Sequence, residues 1–354
     1  MKKIILTGGG TAGHVIPNIA LIPALKDIGF EIYYVGSYNG IEKQLITELK
    51  IPYYGINTGK LRRYFDIKNF TDPFRILKGL VESQRIIKEL KPDIIFSKGG
   101  YVSVPIVTAA HLQHIPVILH ESDITIGLAN KLSIPSCDRI CCSFPETLNS
   151  LPKNKSVLTG PPIREELLNG SKEDGFAFCN LPSDKPLLLV TGGSLGSVNI
   201  NNFIRNILDT LLNDFNIVHL CGKGKVDPSF NDVKGYVQYE YVGKELKDLM
   251  AAADIVVSRA GAGTISELVA LRKPNLLIPL SKNASRGDQI LNARSYENQG
   301  YSKVLEEEEI RTDVLYKTLT DLYSERDKYI KNMSQSHMQN SNSVIIELIA
   351  SYVN

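Results

Sequence analysis

The stretch Ser258-Arg-Ala-Gly-Ala-Gly-Thr-Ile-Ser-Glu267 decides how the chain is read. An apolar run, Asp254-Ile-Val-Val257, precedes it. A second run, Leu268-Val-Ala-Leu271, follows and is closed by Arg272-Lys273-Pro274. This order predicts a strand, a tight glycine turn and a helix. Gly261 and Gly263 let the backbone come close to a ligand. The new helix points free N–H groups and its positive dipole end the same way, which suits a diphosphate. Glu267 lies about one helical turn further on, where a carboxylate can accept from two neighbouring ribose hydroxyls. The same residues also fit a helix cap, because Thr264 and Glu267 have the S/T-x-x-E spacing of a capping box. The segment alone does not choose between the two.

The same strand–turn–helix order recurs along the chain. Lys3–Thr7 runs into Gly8-Gly-Gly-Thr-Ala-Gly13, and Asp93–Ser97 into Lys98-Gly99-Gly100. Pro186–Val190 leads to Gly192-Gly-Ser-Leu-Gly196. Two turns fall in each half, and Thr159-Gly-Pro-Pro-Ile-Arg164 separates the halves. Two adjacent prolines continue neither a central strand nor a helix, so this segment reads as a linker. The expected architecture is α/β, with two Rossmann-like domains facing a cleft: 1–162, and 163–340, with a terminal helix, 341–354, packing back on the first. A single-cofactor enzyme needs one phosphate turn. Four turns fit two phosphate-bearing ligands.

Composition narrows the classes. The chain has 354 residues, 43% hydrophobic and 22% charged, as in ordinary soluble domains. No run reaches the ~18 apolar residues of a membrane span. The start, Met1-Lys-Lys-Ile-Ile-Leu6, meets Gly8 too early for an export signal and reads as a first strand of a cytoplasmic protein. Five cysteines with no C-x-x-C pair argue against disulfide or zinc frameworks. The net charge of +2 hides an asymmetry, with an excess of basic residues before residue 162 and of acidic ones after it. Nothing points to nucleic acid.

The G-x-G-x-x-G of Gly8, Gly10 and Gly13 formally matches a dinucleotide fingerprint. That reading wants an acid at the end of the second strand, and Tyr34-Val-Gly-Ser37 supplies none. His14 follows this turn at a helix start, where the dipole favours the neutral ring, a form able to act as a general base. His120 and Glu121 end a later strand and read as lining of the same site. Asp-x-Asp, the usual metal anchor of nucleotide-sugar enzymes, is missing, and Glu121-x-Asp123 is a weak imitation. Metal-independent chemistry is therefore expected, with helix dipoles and backbone N–H groups steadying the leaving diphosphate. Residues 60–78 interleave Leu61, Phe65, Ile67, Phe70, Phe74 and Leu77 with Lys60, Arg62, Arg63, Lys68, Arg75 and Lys78. They suit an anionic membrane surface, or else a loop and helix folded into the core.

Taken in order, Gly8–His14, Lys98–Ser103, His120-Glu121, Gly127-Leu-Ala-Asn130, Thr159–Arg164, Gly192–Ser194 and Ser258–Glu267 resemble the MurG family of peptidoglycan N-acetylglucosamine transferases. The resemblance runs from residue 4 to about 300. It implies a GT-B hexosyltransferase that moves N-acetylglucosamine from UDP to the muramoyl C4 hydroxyl of lipid I, with inversion, giving lipid II. Such an enzyme serves cell-wall synthesis, and with it cell shape and division, from the cytoplasmic face of the membrane. It uses no cofactor, since UDP-N-acetylglucosamine is a substrate. His14, on the acceptor side of the expected cleft, is the candidate base for this inversion. The resemblance gives Arg164 to the uracil, Glu267 to the ribose, and Ser194, Ala262, Gly263 and Thr264 to the donor diphosphate. Asp288 and Gln289 fall to the donor sugar. Thr11, Ala12 and Gly13 are given both to the acceptor diphosphate and sugars and to donor binding. Gly10, Tyr101, His120, Glu121 and Asn130 fall to the acceptor. Two departures bear on this: Ser122-Asp123 stands where many members carry Gln-Asn, and Asp288-Gln289 where many carry a Gln pair. Asp123 thus competes with His14 as base. The rival readings are a UDP-sugar epimerase, an NAD-dependent oxidoreductase and a nucleotide-sugar binding module.

Overall fold

Seven strands form the first sheet of the computed structural model: β1 (Lys2–Thr7), β2 (Phe30–Ser37), β3 (Tyr53–Ile56), β4 (Ile94–Ser97), β5 (Val117–Glu121), β6 (Arg139–Cys142) and β7 (Ser156–Leu158). All are parallel, in the order β3-β2-β1-β4-β5-β6-β7. Six more form the second: β8 (Leu187–Thr191), β9 (Asn216–Leu220), β10 (Tyr236–Tyr239), β11 (Ile255–Ser258), β12 (Asn275–Leu277) and β13 (Lys303–Val304). These too are parallel, in the order β10-β9-β8-β11-β12-β13. The structure describes residues 2–59, 72–193, 195–282, 287–336 and 338–353.

Parallel strands need crossovers, and the crossover helices cover both faces, so the strands are apolar throughout. In β1 the period of two sends Ile4 and Leu6 to one face, with Ile32, Tyr34, Ile94 and Phe96, and Ile5 to the other, with Val35, Ile95 and Val117. Ile345, Ile346 and Ile349 of the last helix, Ser341–Ala350, join the first of these clusters.

The chain divides into two compact units: Met1–Ile163 with Met338–Asn354, and Arg164–His337. The Asn342 side chain holds both backbone groups of Ile163, accepting from its N–H at 2.9 Å and donating to its carbonyl at 2.8 Å. Two helices escaped the sequence reading, Lys172–Cys179 and Arg326–Ser334. A third helix spans Asp72–Leu90, with Pro73 in its first turn, where proline is tolerated.

In each sheet the connection reverses direction beside the first strand, between β1 and β4 and between β8 and β11. Open α/β sheets bind ligands at the carboxyl ends of the strands flanking this switch point. All four glycine turns leave those ends: Gly8–Gly13 from β1, Gly99-Gly100 from β4, Gly192–Gly196 from β8, and Gly261–Gly263 from β11.

Candidate active site

In the second unit the helix after β11 spans Ala262–Ala270, and its N-cap is Gly261, in extended backbone with no side chain capping it. The capping-box alternative is thereby overturned. Thr264 sits inside the first turn, and Glu267 turns instead to Arg164, with Nε to Oε1 at 2.7 Å and Nη2 to Oε2 at 3.0 Å. The first N–H groups of the helix keep their donor capacity for a ligand. A Cβ built on Gly261 or Gly263 meets nothing within 4 Å, and neither residue has positive φ. Packing within this unit therefore does not demand glycine at either position.

The partner turn is built differently. Gly196 has φ +68° and lies against the Cys221 carbonyl, so its glycine serves the fold, whereas Gly193 faces open space. Ser197 caps helix Val198–Asn206 through a 3.3 Å bond to the Ile200 N–H. Buried Arg259 ties the two turns together. Its Nη2 donates to Ser197 Oγ at 2.7 Å and to Glu307 Oε1 at 2.5 Å, and its Nη1 to the carbonyls of Ile278 and Pro279 at 3.1 Å. Ser194 lies outside the described residues. Asp288 opens helix Asp288–Asn298, and Gln289 Oε1 accepts from the Leu280 N–H at 3.1 Å.

In the first unit the turns after β1 and β4 touch, since a Cβ on Gly100 would lie 2.3 Å from the Gly9 carbonyl. Gly10, Thr11 and Gly13 are exposed, with Ala12 and His14 half-buried. The ring of Tyr101 packs on Gly10. His14 Nδ1 lies 3.0 Å from the Lys98 carbonyl. A carbonyl only accepts, so the proton sits on Nδ1 and the lone pair on Nε2. Burial lowers the pKa of His14 from the ordinary 6.5, with the Lys98 charge second, against the pull of Asp123 and Glu42. A neutral ring with a fixed lone pair is a base ready to act.

Two residues of this unit that the sequence reading gave no role prove central. Glu42 is fully buried under the first turn. Its Oε1 accepts from Ser37 N at 3.0 Å and Ser37 Oγ at 2.5 Å, and its Oε2 from Gly10 N at 3.2 Å. The Gly10 N–H is thus spent inside the protein. The end of β2 itself supplies no acid, and Glu42, from the following helix, is buried away from any ribose. Lys98 is the second. Its Nζ, 1% exposed, donates to His120 Nδ1 and Ser122 Oγ, both at 2.6 Å.

His120, Glu121 and Asn130 sit beneath the surface rather than on it. His120 is fully buried, with Nε2 donating to the Gly160 carbonyl at 2.8 Å. Glu121 accepts from the N–H groups of Ser122, Asp123 and Gly127 and from Asn130 Nδ2. Asn130 Oδ1 takes no hydrogen bond among the described residues and lies against Gly99. These three shape the loop after β5, and both Glu121 oxygens are engaged in holding it.

The sequence profile of the glycosyltransferase family 28 N-terminal domain matches residues 4–142, and that of the family 28 C-terminal domain residues 187–349. A protein of Lachnospira eligens named UDP-N-acetylglucosamine–N-acetylmuramyl-(pentapeptide) pyrophosphoryl-undecaprenol N-acetylglucosamine transferase is 60% identical over 349 residues, 99% of each chain. The crystal structure of Acinetobacter baumannii MurG matches with a TM-score of 0.79 at 26% identity, covering 99% of this chain and 100% of that one. A UDP-N-acetylglucosamine 2-epimerase from Neisseria meningitidis matches with a TM-score of 0.70 at 17% identity, over 99% of this chain and 100% of that one, a likeness of fold alone. Fold therefore does not separate transferase from epimerase; sequence does, and this GT-B chain belongs to the MurG family of glycosyltransferases.

Proposed function

We propose that the chain transfers N-acetylglucosamine from UDP-N-acetylglucosamine to the muramoyl C4 hydroxyl of lipid I, inverting the anomeric centre and releasing UDP and lipid II. The observation that carries this reading is the 60% identity, held over 99% of both chains, to a transferase named for that reaction.

The chemistry is one displacement. The C4 oxygen of the acceptor attacks C1 of the donor sugar, the C1–oxygen bond to the diphosphate breaks, and the acceptor's proton passes to His14 Nε2. UDP leaves with the electron pair of the broken bond. In this reading Arg164 and Glu267 hold uracil and ribose, Asp288 and Gln289 the sugar, and Ser194 with the amides of Ala262, Gly263 and Thr264 the diphosphate. Preorganised amides of this kind stabilise developing negative charge without reorganising. Thr11, Ala12, Gly13 and Tyr101 serve the acceptor end. His120, Glu121 and Asn130 act on it through the loop they hold.

The acceptor is a lipid, and helix Asp72–Leu90 supports a membrane-surface role. Phe74, Leu77 and Val81 are 75%, 60% and 61% exposed. They share one helix face, next to exposed Arg75, Lys78, Arg85 and Lys88. Residues 60–71 of the basic-apolar segment lie outside the described residues. No described helix is long and apolar enough to cross a membrane. The reading is peripheral association at the cytoplasmic face through this surface.

The test is UDP release by purified protein from UDP-N-acetylglucosamine, with and without lipid I or a short-chain analogue. Acceptor-dependent release of UDP, with a lipid II product, is expected. Release without acceptor, or interconversion of the donor sugar, would sink the reading. Activity is expected to persist in EDTA; its loss there would remove only the metal-independent part.

A further inference from the structure

Lys98 is a buried charge with no part in the displacement above. It stands between β4 and the Gly99-Gly100 turn and has two separate links to the site. Through its backbone, the carbonyl accepts the Nδ1 proton of His14 at 3.0 Å. Through its side chain, Nζ donates to His120 Nδ1 and Ser122 Oγ, both at 2.6 Å. The His120 Nε2–H donates to the Gly160 carbonyl at 2.8 Å. That leaves a lone pair on Nδ1 facing the ammonium, so this second ring is neutral.

We infer that Lys98 is a positioning residue for His14, whose carbonyl selects the tautomer of the base and whose buried ammonium keeps that ring uncharged until it takes the acceptor's proton. The inference rests on the reading of His14 as base. Burial does most to keep His14 uncharged; of the charged groups the Lys98 ammonium acts with it and Asp123 and Glu42 against it, while the bond to the Lys98 carbonyl also favours the protonated ring. Burial pushes the Lys98 pKa down to about 7, against the pull of Glu121, Cys141 and Asp123. The ammonium is therefore present below about pH 7, where an ordinary histidine would begin to take up a proton. A cation buried without a full ion-pair partner is costly.

Two substitutions separate charge from packing. Lys98→Gln keeps a donor for His120 and Ser122 and removes the charge; Lys98→Met removes both. On full-length protein the His14 titration is read from its imidazole ¹⁵N–¹H signals. The pH profile of kcat/KM is read with UDP-N-acetylglucosamine and a short-chain lipid I analogue. In both variants the His14 pKa is expected to rise by about one unit, and the acid limb of kcat/KM to move up with it. An unchanged His14 titration in either variant would overturn the inference. A titration that moves while the acid limb stays fixed would keep the charge coupling of Lys98 to His14 but remove His14 as the base, and with it the role of Lys98 in positioning a base. If neither variant folds, the unsubstituted protein decides: a His14 pKa at or above 6.5, the ordinary value, overturns the inference.

Discussion

Arg164 and Glu267 meet side on, Nε to Oε1 at 2.7 Å and Nη2 to Oε2 at 3.0 Å, with both side chains largely buried. The family resemblance assigns them to separate parts of one nucleotide, and here they form a single two-point pair. Bidentate guanidinium–carboxylate pairs fix geometry as well as charge. Arg164 therefore presets the Glu267 carboxylate, which the proposed function gives to the ribose. Glu267→Gln should weaken UDP binding by roughly 10- to 100-fold, the loss of a hydrogen bond to a charged group. Arg164→Met should do nearly the same, and the double variant little more than either alone, because the two act as a unit. Isothermal titration with UDP reads all three. Strictly additive losses would mean that the pair is incidental.

The glycines divide into two kinds, and thermal melts with UDP titrations distinguish them. Gly263 has open space around its missing Cβ. Gly263→Ala should leave stability unchanged or raise it by up to about 1 kcal/mol, yet weaken UDP binding about tenfold or more, since a methyl group would stand where the diphosphate approaches. Gly100 has φ +78° and the Gly9 carbonyl 2.3 Å from a built Cβ. Gly100→Ala should cost about 2 kcal/mol or more, from left-handed strain and the clash together. If Gly263→Ala bound UDP normally, the donor diphosphate would have to be placed elsewhere.

The four turns, their strands and the two-unit plan were legible because glycine punctuation and apolar runs are local signals. Side-chain partners across the fold were not. Glu42 lies five residues beyond Ser37 in sequence, and only the folding of its helix against β2 brings its carboxylate under Gly10. Lys98 stood inside a quoted motif, but its burial and its contact with Ser122 depend on how β4 and β5 are paired. Thr264 and Glu267 carried a true local pattern that lost to a long-range partner 103 residues away. Helix Arg326–Ser334 buries only Tyr329 and Met333, too little apolar periodicity to mark it.

His14 and Asp123 are separated by pH and by substitution. A base must be deprotonated to act, so kcat/KM falls as pH drops through its pKa. Burial and Lys98 hold the His14 pKa below 6.5. The falling limb should therefore lie below pH 6.5, and His14→Ala should cut kcat by roughly 10²–10⁴-fold at unchanged melting temperature. Asp123→Asn removes a carboxylate that pulls the ring toward protonation, so it should move that limb further toward acid while kcat near pH 7.5 drops less than about tenfold. The reverse ranking of the two variants would make Asp123 the base.

The exposed face of helix Asp72–Leu90 makes a prediction that soluble-substrate kinetics cannot mimic. Phe74, Leu77 and Val81 point away from the first unit's core, which the same helix meets with Ile86, Ile87 and Leu90. Each apolar side chain entering the acyl boundary contributes on the order of 1.5 kcal/mol, and each nearby basic residue about 1 kcal/mol at an anionic surface. Replacing all three with serine should weaken co-sedimentation with vesicles containing anionic lipid by about 100-fold or more. Binding by the unsubstituted protein should fall as salt rises, because surface attraction is screened beyond roughly 8 Å at physiological ionic strength. Turnover of a water-soluble, short-chain acceptor should be the same in both proteins, since none of the three residues is near the glycine turns in sequence or paired to their strands. Full vesicle binding by the triple variant would move the membrane contact to another surface of the chain. Loss of short-chain turnover alongside vesicle binding would make the face part of the acceptor site instead.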